Sequence, residues 1–131
     1  GYNGGIELRE YGIQRIDYRA GDVIQVVLIW MSNMNIQEDF TVFVHVYAEM
    51  DAPPVAQHDG YPGGGDYPTG RWDSGTKVLD RHGLQLPSAI VPGEYSVAVG
   101  LYRASDGVRL NLSSNHEYHD RLVLGTISVV E

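Results

Sequence analysis

Alternation of apolar and polar residues with a period of two is the dominant pattern along this chain. The clearest segment sets four large apolar residues on one face, Ile24, Val26, Leu28 and Trp30. Similar segments recur every ten to fifteen residues or so, roughly the spacing of short strands divided by turns. The pattern predicts an all-β fold of about eight strands in two antiparallel sheets, an immunoglobulin-like or fibronectin-III-like β-sandwich with Trp30 inside. A closed barrel is the alternative.

The segment from Phe40 to Tyr47 is apolar on both faces, because Val42, Val44 and Val46 alternate with two aromatic residues and His45. This is typical of a central strand that is covered on each side, here either by neighbouring elements or partly by the long loop that follows. A chain of 131 residues has the size of one domain. We therefore predict a single sandwich domain over residues 1–131.

Charge and composition exclude several classes of function. The chain has 17 acidic and 9 basic residues, a formal net charge of −8, and Lys77 is its one lysine. Nucleic acids and anionic lipid surfaces select for basic patches, so neither is an expected partner. The sequence has no cysteine, which excludes disulfides and cysteine-ligated zinc. No segment approaches the roughly 18 consecutive apolar residues of a spanning helix, so we expect no direct membrane insertion.

A long loop between two strand-like segments is the strongest candidate for a functional surface. It carries two Tyr-Pro pairs, three consecutive glycines and a tryptophan. Loops of this length in small domains are either functional or packed against the core. The candidate ligand-binding residues are Tyr61, Asp66, Tyr67, Arg71 and Trp72. In this interpretation the aromatic rings stack on a sugar or peptide while Asp66 and Arg71 donate or accept hydrogen bonds. The alternative is that the same rings close one end of the sandwich.

Polar residues on or beside the flanking strands form a second candidate group. Its members are His45, His58, Asp59, Asp80, Arg81 and His82, with Arg71 from the loop. Buried polar groups must be paired, and arginine can bind a carboxylate through two hydrogen bonds. We expect this group to be a structural network that holds the loop in place.

No residue set predicts catalysis or a metal centre. The G-x-S-x-G motif of a serine hydrolase is absent from the sequence. His116 and His119 are three residues apart, whereas the zinc-protease helix needs a spacing of four. A metal role for these two residues with Glu117 and Asp120 is less favoured than the interpretation that all four are solvated loop residues. The aspartates at 59, 66, 73 and 80 suggest calcium, but calcium loops place ligands at alternate positions. We predict no catalytic residue, no metal and no cofactor.

Several segments, taken in order, resemble a known family. They are AGD at 20–22, LIW at 28–30, FTVFVHV at 40–46, VAQHD at 55–59, GGG at 63–65, YPT at 67–69, RW at 71–72, PGEY at 92–95, VGLY at 99–102 and RLVLGT at 121–126. Together they resemble the soluble C-terminal domain of polytopic bacterial membrane glycosyltransferases of the phospholipid-carrier-dependent mannosyltransferase-like class, chiefly from Chloroflexi. The resemblance implies a β-sandwich on the extracytoplasmic side of the membrane. It transfers no catalytic residue, because the family's glycosyl-transfer machinery lies in the membrane portion.

These observations predict a non-enzymatic accessory module. It is expected to bind a glycan or an acceptor polypeptide, or to brace the enzyme. Its other expected partner is the parent membrane domain. One alternative is a purely structural protein–protein interaction domain. Another is a free-standing glycoside hydrolase, which would need two carboxylates in unlike environments within a cleft.

Overall fold

The computed structural model describes residues 5–114 and 117–131, apart from the side chains of residues 113, 114, 117 and 118. This part of the chain forms β1 (Ile6–Ile13), β2 (Asp17–Arg19), β3 (Val23–Ser32), β4 (Phe40–Tyr47), β5 (Ala56–Gly60), β6 (Lys77–Gln85), β7 (Gly93–Arg103), β8 (Leu112–Ser114), β9 (Glu117–His119) and β10 (Leu122–Val130). It contains short 3₁₀ turns at Pro62–Gly65 and Thr69–Arg71 but no α-helix. None of its helical segments is long and apolar enough to cross a bilayer.

Eight of these strands form two sheets, as the alternation predicts. The three-stranded sheet has the order β1-β3-β6 and the five-stranded sheet the order β2-β10-β7-β4-β5, while β8 and β9 form a separate pair. The expectation of wholly antiparallel sheets is wrong at one place, because β2 runs parallel to β10. The cause is a crossover. After β1 the chain leaves the three-stranded sheet and joins the edge of the five-stranded sheet, where Ser128 N–H donates to the Ile16 carbonyl at 2.8 Å.

One hydrophobic core draws on both sheets. From β3, the four residues that share a face in the sequence pattern, including Trp30, are fully buried, which confirms the prediction for Trp30. The five-stranded sheet contributes valines and leucines from β4, β7 and β10 to the same cluster. Burial of each such side chain stabilises the fold by about 1.5–3 kcal/mol, which makes this shared interior the main stabilising feature.

Strand β4 is buried along its whole length, as the sequence predicts. Its valines point into the core. On the other face the Arg109 guanidinium lies 4.4 Å from the centre of the Phe43 ring, and that of Arg121 lies 4.9 Å from the Tyr47 ring. The cover therefore comes from residues that follow β7. Arginine can cover aromatic faces in this way because its flat, weakly hydrated cation is attracted to the ring quadrupole.

Candidate binding site

The long loop, residues 61–76, connects β5 at the edge of one sheet to β6 at the edge of the other. Buried and partly buried hydrogen bonds fix it at several points. Gly63 N–H donates to the Asp80 carboxylate at 3.0 Å, and the hydroxyl of buried Thr69 accepts from Phe40 N–H at 2.8 Å and donates to the Glu38 carbonyl at 2.6 Å. The loop backbone is thus anchored to the rest of the fold, which fixes the positions from which its exposed side chains extend.

Trp72 does not belong to the exposed face that the sequence suggested. Its side chain is only 2% exposed and joins the hydrophobic core. The indole N–H donates to the Tyr67 carbonyl at 2.9 Å, which satisfies its one polar group inside the protein. A ring this large gains more from burial than from exposure once its N–H has a partner. For Trp72 the prediction of a stacking role is therefore wrong, because its ring is packed into the core.

Two tyrosines of the loop remain exposed, and each lines a depression together with Arg81 of β6. Tyr61 is 43% exposed and Tyr67 is 60% exposed. Tyr61 lines an open depression of about 300 Å³ together with His58 and Arg81, and Tyr67 lines a neighbouring one of about 290 Å³ together with Leu79 and Arg81. We call the exposed surface of Tyr61, Tyr67, Leu79 and Arg81 the tyrosine face. Asp66 and Arg71 are exposed but line neither depression.

Arg81 belongs to the tyrosine face and not to the structural network that the sequence suggested. Successive residues of β6 point to opposite sides, so Asp80 and His82 are buried while Leu79 and Arg81 are exposed. Among the residues that the structure describes, no carboxylate pairs with the Arg81 guanidinium. The period-two pattern of β6 is the signal that could have assigned Leu79 and Arg81 to the exposed surface.

The remaining polar group divides into two separate clusters. In the first, Asp80 is fully buried and accepts hydrogen bonds from the Trp30 indole N–H at 3.0 Å and from His82 Nε2 at 2.7 Å. His82 Nδ1 lies 3.0 Å from His58 Nδ1, which joins β6 to β5 across the two sheets. We call this cluster the sealed side of the molecule. It contacts the loop through Asp80, which accepts from Gly63 N–H.

The second cluster lies on the outer face of the five-stranded sheet. Tyr102 donates to Asp59 at 2.8 Å, and His45 Nδ1 lies 2.8 Å from the Tyr47 hydroxyl. His45 Nε2 is 4.0 Å from Asp59. Asp59 and His45 do not reach the sealed side because neighbouring residues of β5, Asp59 and His58, point to opposite faces of the sheet.

The geometry of the sealed side limits which ring nitrogens of His58 and His82 carry a hydrogen. His82 Nε2 faces the Asp80 carboxylate and therefore carries a proton. Of the two facing Nδ1 atoms, only one can carry the shared proton, since two N–H groups would repel each other. Burial lowers the pKa of His58 below its ordinary value of 6.5, and the charge of His82 lowers it further. Burial is also the main cause that lowers the pKa of His45.

The buried carboxylate and histidine resemble part of a hydrolase triad. Among the side chains that the structure describes, no serine or threonine hydroxyl is hydrogen-bonded to His58 or His82. The described residues also contain no group of three or more His, Cys, Asp or Glu side chains placed to hold a metal ion. The four aspartates considered for calcium are dispersed, since Asp80 is buried and Asp59 accepts from Tyr102, whereas Asp66 and Asp73 are exposed.

The second metal hypothesis concerned the segment from His116 to Asp120. His116 and the Glu117 side chain lie outside the described residues. His119 is exposed, and Asp120 pairs with Arg109 at 3.6 Å. In the described part of this segment, Asp120 therefore contributes to the cover of β4 through Arg109.

Comparison with known proteins identifies the fold. No protein-family model matches the sequence, and a search of curated proteins gave no significant match. Among solved structures, the C-terminal domain of Wzt aligns over 100% of this chain and 77% of its own, with a TM-score of 0.67 and 10% identity.

Two further structures are similar. A Niemann-Pick type C2 protein from the Japanese carpenter ant has a TM-score of 0.58 and 6% identity over 95% of this chain and 92% of its own. The sporulation control protein Spo0M from Bacillus subtilis has a TM-score of 0.50 and 12% identity over 86% of this chain and 51% of its own. At identities this low, the likenesses show a shared fold alone, and function has to be argued from the residues of the site.

Proposed function

We propose that this chain is a non-catalytic binding module that recognises a glycan through the tyrosine face. The observation that carries the proposal is the pair of exposed rings, Tyr61 and Tyr67, each of which lines a depression that Arg81 also lines. Tyrosine rings provide apolar surface for the faces of sugar rings, while a guanidinium donates several hydrogen bonds to sugar oxygens. Because the loop is anchored through Gly63, Thr69 and Trp72, little conformational entropy is lost on binding.

The fold is, in our proposal, an immunoglobulin-like β-sandwich. Two observations support this type. The strand orders β1-β3-β6 and β10-β7-β4 correspond to A-B-E and G-F-C of that architecture. At the start of β7, the Tyr95 hydroxyl donates to the Val91 carbonyl at 2.5 Å, as in the tyrosine corner found at the equivalent position of such domains.

The wider setting of the module is also a proposal. The sequence segments described above resemble the C-terminal domain of membrane glycosyltransferases, and on that basis we infer an extracytoplasmic accessory role beside a parent membrane domain. An acceptor polypeptide is the alternative ligand in that setting. A glycan-binding surface suits this accessory role, because such a surface would hold the product or the acceptor near the transferring enzyme.

The carboxylates near the site favour binding over hydrolysis. A glycoside hydrolase needs two carboxyl groups flanking the bond to be cleaved. Of the described residues lining the two depressions, Asp59 is the one carboxylate, and it accepts a hydrogen bond from Tyr102. Asp80 is fully buried and cannot contact a substrate.

A glycan array tests the proposal. We expect the chain to bind a subset of glycans, and Y61A/Y67A to reduce that binding by roughly tenfold or more, since loss of stacking on two rings costs about 1.4 kcal/mol at least. Val91→Ala removes an apolar side chain that is 68% exposed but lies outside the tyrosine face, and should bind like the parent. Absence of binding to every glycan, or equal binding by Y61A/Y67A with the fold intact by circular dichroism, would refute the proposal.

A further inference from the structure

The side of the molecule opposite the sealed side is open. There, β1 of one sheet and the first half of β10 of the other are separated by a cleft of about 530 Å³. The cleft is lined by Leu8, Arg9 and Tyr11 from β1 and by residues 119 and 121–124. The sealed side is bridged by His58 and His82, whereas no strand of the described chain fills this cleft.

The edge of β10 that faces the cleft lacks a partner strand over most of its length. β2 pairs with β10 only at its last three residues, Ser128 to Val130. Ser128 N–H donates toward this edge, to Ile16, and by the two-residue period of a strand Thr126 N–H points the same way. Among the described residues, none pairs with this edge over positions 122–127.

The free edge carries no charged residue. Natural proteins often protect such edges with lysine, with other charged residues or with proline. Residues 122–127 read LVLGTI and contain none of these, and the one irregularity is a bulge against β7 between Val123 and Gly125. An apolar edge with free hydrogen-bonding groups is the surface that extended peptides use when they add a strand to a sheet.

The charge of the cleft indicates the sign of the charge that such a peptide carries. The chain has a net charge of −8, yet the described lining of the cleft includes two arginines and no carboxylate. Arg9 pairs with Glu7 at 2.9 Å, but both side chains are about half exposed, and such surface pairs are weak. The Arg121 guanidinium stacks over Tyr47 and donates to the Met50 carbonyl, on the outer face of the five-stranded sheet, so Arg9 is the cation with which a ligand in the cleft can pair.

We propose that this cleft binds an extended polypeptide segment, which pairs with the free edge of β10. Alternate side chains of that segment are apolar and contact Leu8, Leu122 and Leu124, and a carboxylate at one end pairs with Arg9. The site lies on the opposite side of the molecule from the tyrosine face. Glycan binding and peptide binding are therefore independent, and either can fail without the other.

A designed peptide tests the proposal on the intact chain. The probe is the capped peptide Glu-Thr-Val-Thr-Val-Thr-Val-Thr-Glu with a fluorescent label, and its binding is followed by anisotropy and by hydrogen exchange of the protein. We expect saturable binding that slows amide exchange at residues 122–127. A peptide with proline at the central valine should bind at least fivefold more weakly, because proline removes an N–H and disfavours the ladder.

A charge-reversal substitution distinguishes binding at this site from nonspecific binding. R9E should weaken binding of the glutamate peptide by about fivefold and strengthen binding of the same peptide with lysine at both ends. Lys77→Glu makes the same change of charge at an exposed position on β6, outside the cleft, and should shift affinity less than twofold or so. Absence of binding, unchanged exchange at 122–127, equal binding of the proline peptide, or equal effects of R9E and Lys77→Glu would each overturn the proposal.

Discussion

Asp80 accepts hydrogen bonds from three different segments: the Trp30 indole in β3, the Gly63 amide in the loop and His82 in β6. Its carboxylate is shielded from water, so these donors replace the solvent that an exposed carboxylate would have. Each donor is also buried or partly buried and would lose its own partner if Asp80 were removed. One side chain thus connects a sheet, the loop and the bridge between the sheets.

Removal of this carboxylate should be costly. We expect Asp80→Ala to lower the free energy of unfolding by about 3–5 kcal/mol, the usual cost of breaking a buried charged network on one side. Asp66→Ala, at an exposed position of the same loop, should change it by less than about 0.5 kcal/mol. Urea denaturation measures both, and similar values for the two variants would contradict this account of the loop.

Stability should also depend on pH through His58 and His45. Burial lowers the pKa of both below 6.5 in the folded state, so on acidification the unfolded chain takes up protons first. The stability these groups provide is therefore complete above pH 6.5 and is lost as the pH falls below that value. Urea denaturation between pH 7.5 and 5.5 should show this decline, and H45Q/H58Q should flatten it. A parent protein whose stability rises on acidification over this range would show that the sign is wrong.

At the scale of single elements, β4 shows how a central strand depends on its outer cover. Gly100 of β7 lies opposite Phe43 of β4 in the sheet. The absence of a side chain at Gly100 leaves room for the Phe43 ring, over which Arg109 stacks. The sequence predicts that β4 is covered on both faces, but a cover supplied by residues far along the chain has no signal in local periodicity.

A pair of glycine substitutions tests this packing. A methyl group at Gly100 would overlap the Phe43 ring and lie 3.1 Å from the Asp120 carbonyl oxygen. We expect Gly100→Ala to destabilise the protein by about 1–3 kcal/mol, as overpacking commonly does. Gly12→Ala in β1 adds the same group where no atom lies within 4 Å, and should be nearly neutral. Thermal denaturation compares the two, and a Gly100→Ala variant as stable as Gly12→Ala would contradict the proposed packing.

The loop shows where sequence reasoning fails at the element scale. Tyr61, Tyr67 and Trp72 have similar local contexts of Gly, Pro and charged residues, and no period distinguishes them. Their exposure differs because the indole N–H of Trp72 reaches a carbonyl inside the loop, whereas the two tyrosines face the depressions beside Arg81. That outcome depends on the three-dimensional course of the loop, which turns through three glycines with positive φ angles.

At the scale of the whole molecule, the alternation of the strands was sufficient to predict an all-β chain with two sheets and a buried Trp30. It could not predict which strands form the edges. The β1–β2 crossover, which puts a short parallel strand at the end of β10, depends on a change of partner strand between Ile13 and Asp17 that local periodicity does not signal. The sealed and open sides both follow from that edge order, and so do the two binding surfaces proposed for them.

The most direct test of the central claim is a residue-resolved NMR titration of the isotope-labelled chain with a glycan identified on the array. The account predicts amide shift changes confined to residues 58–67 and 79–82, around Tyr61, Tyr67 and Arg81, with the β10 edge unaffected. Y61A/Y67A should abolish those changes while the remaining spectrum stays folded. Shift changes centred elsewhere on the protein, or a spectrum unchanged by every glycan, would contradict it.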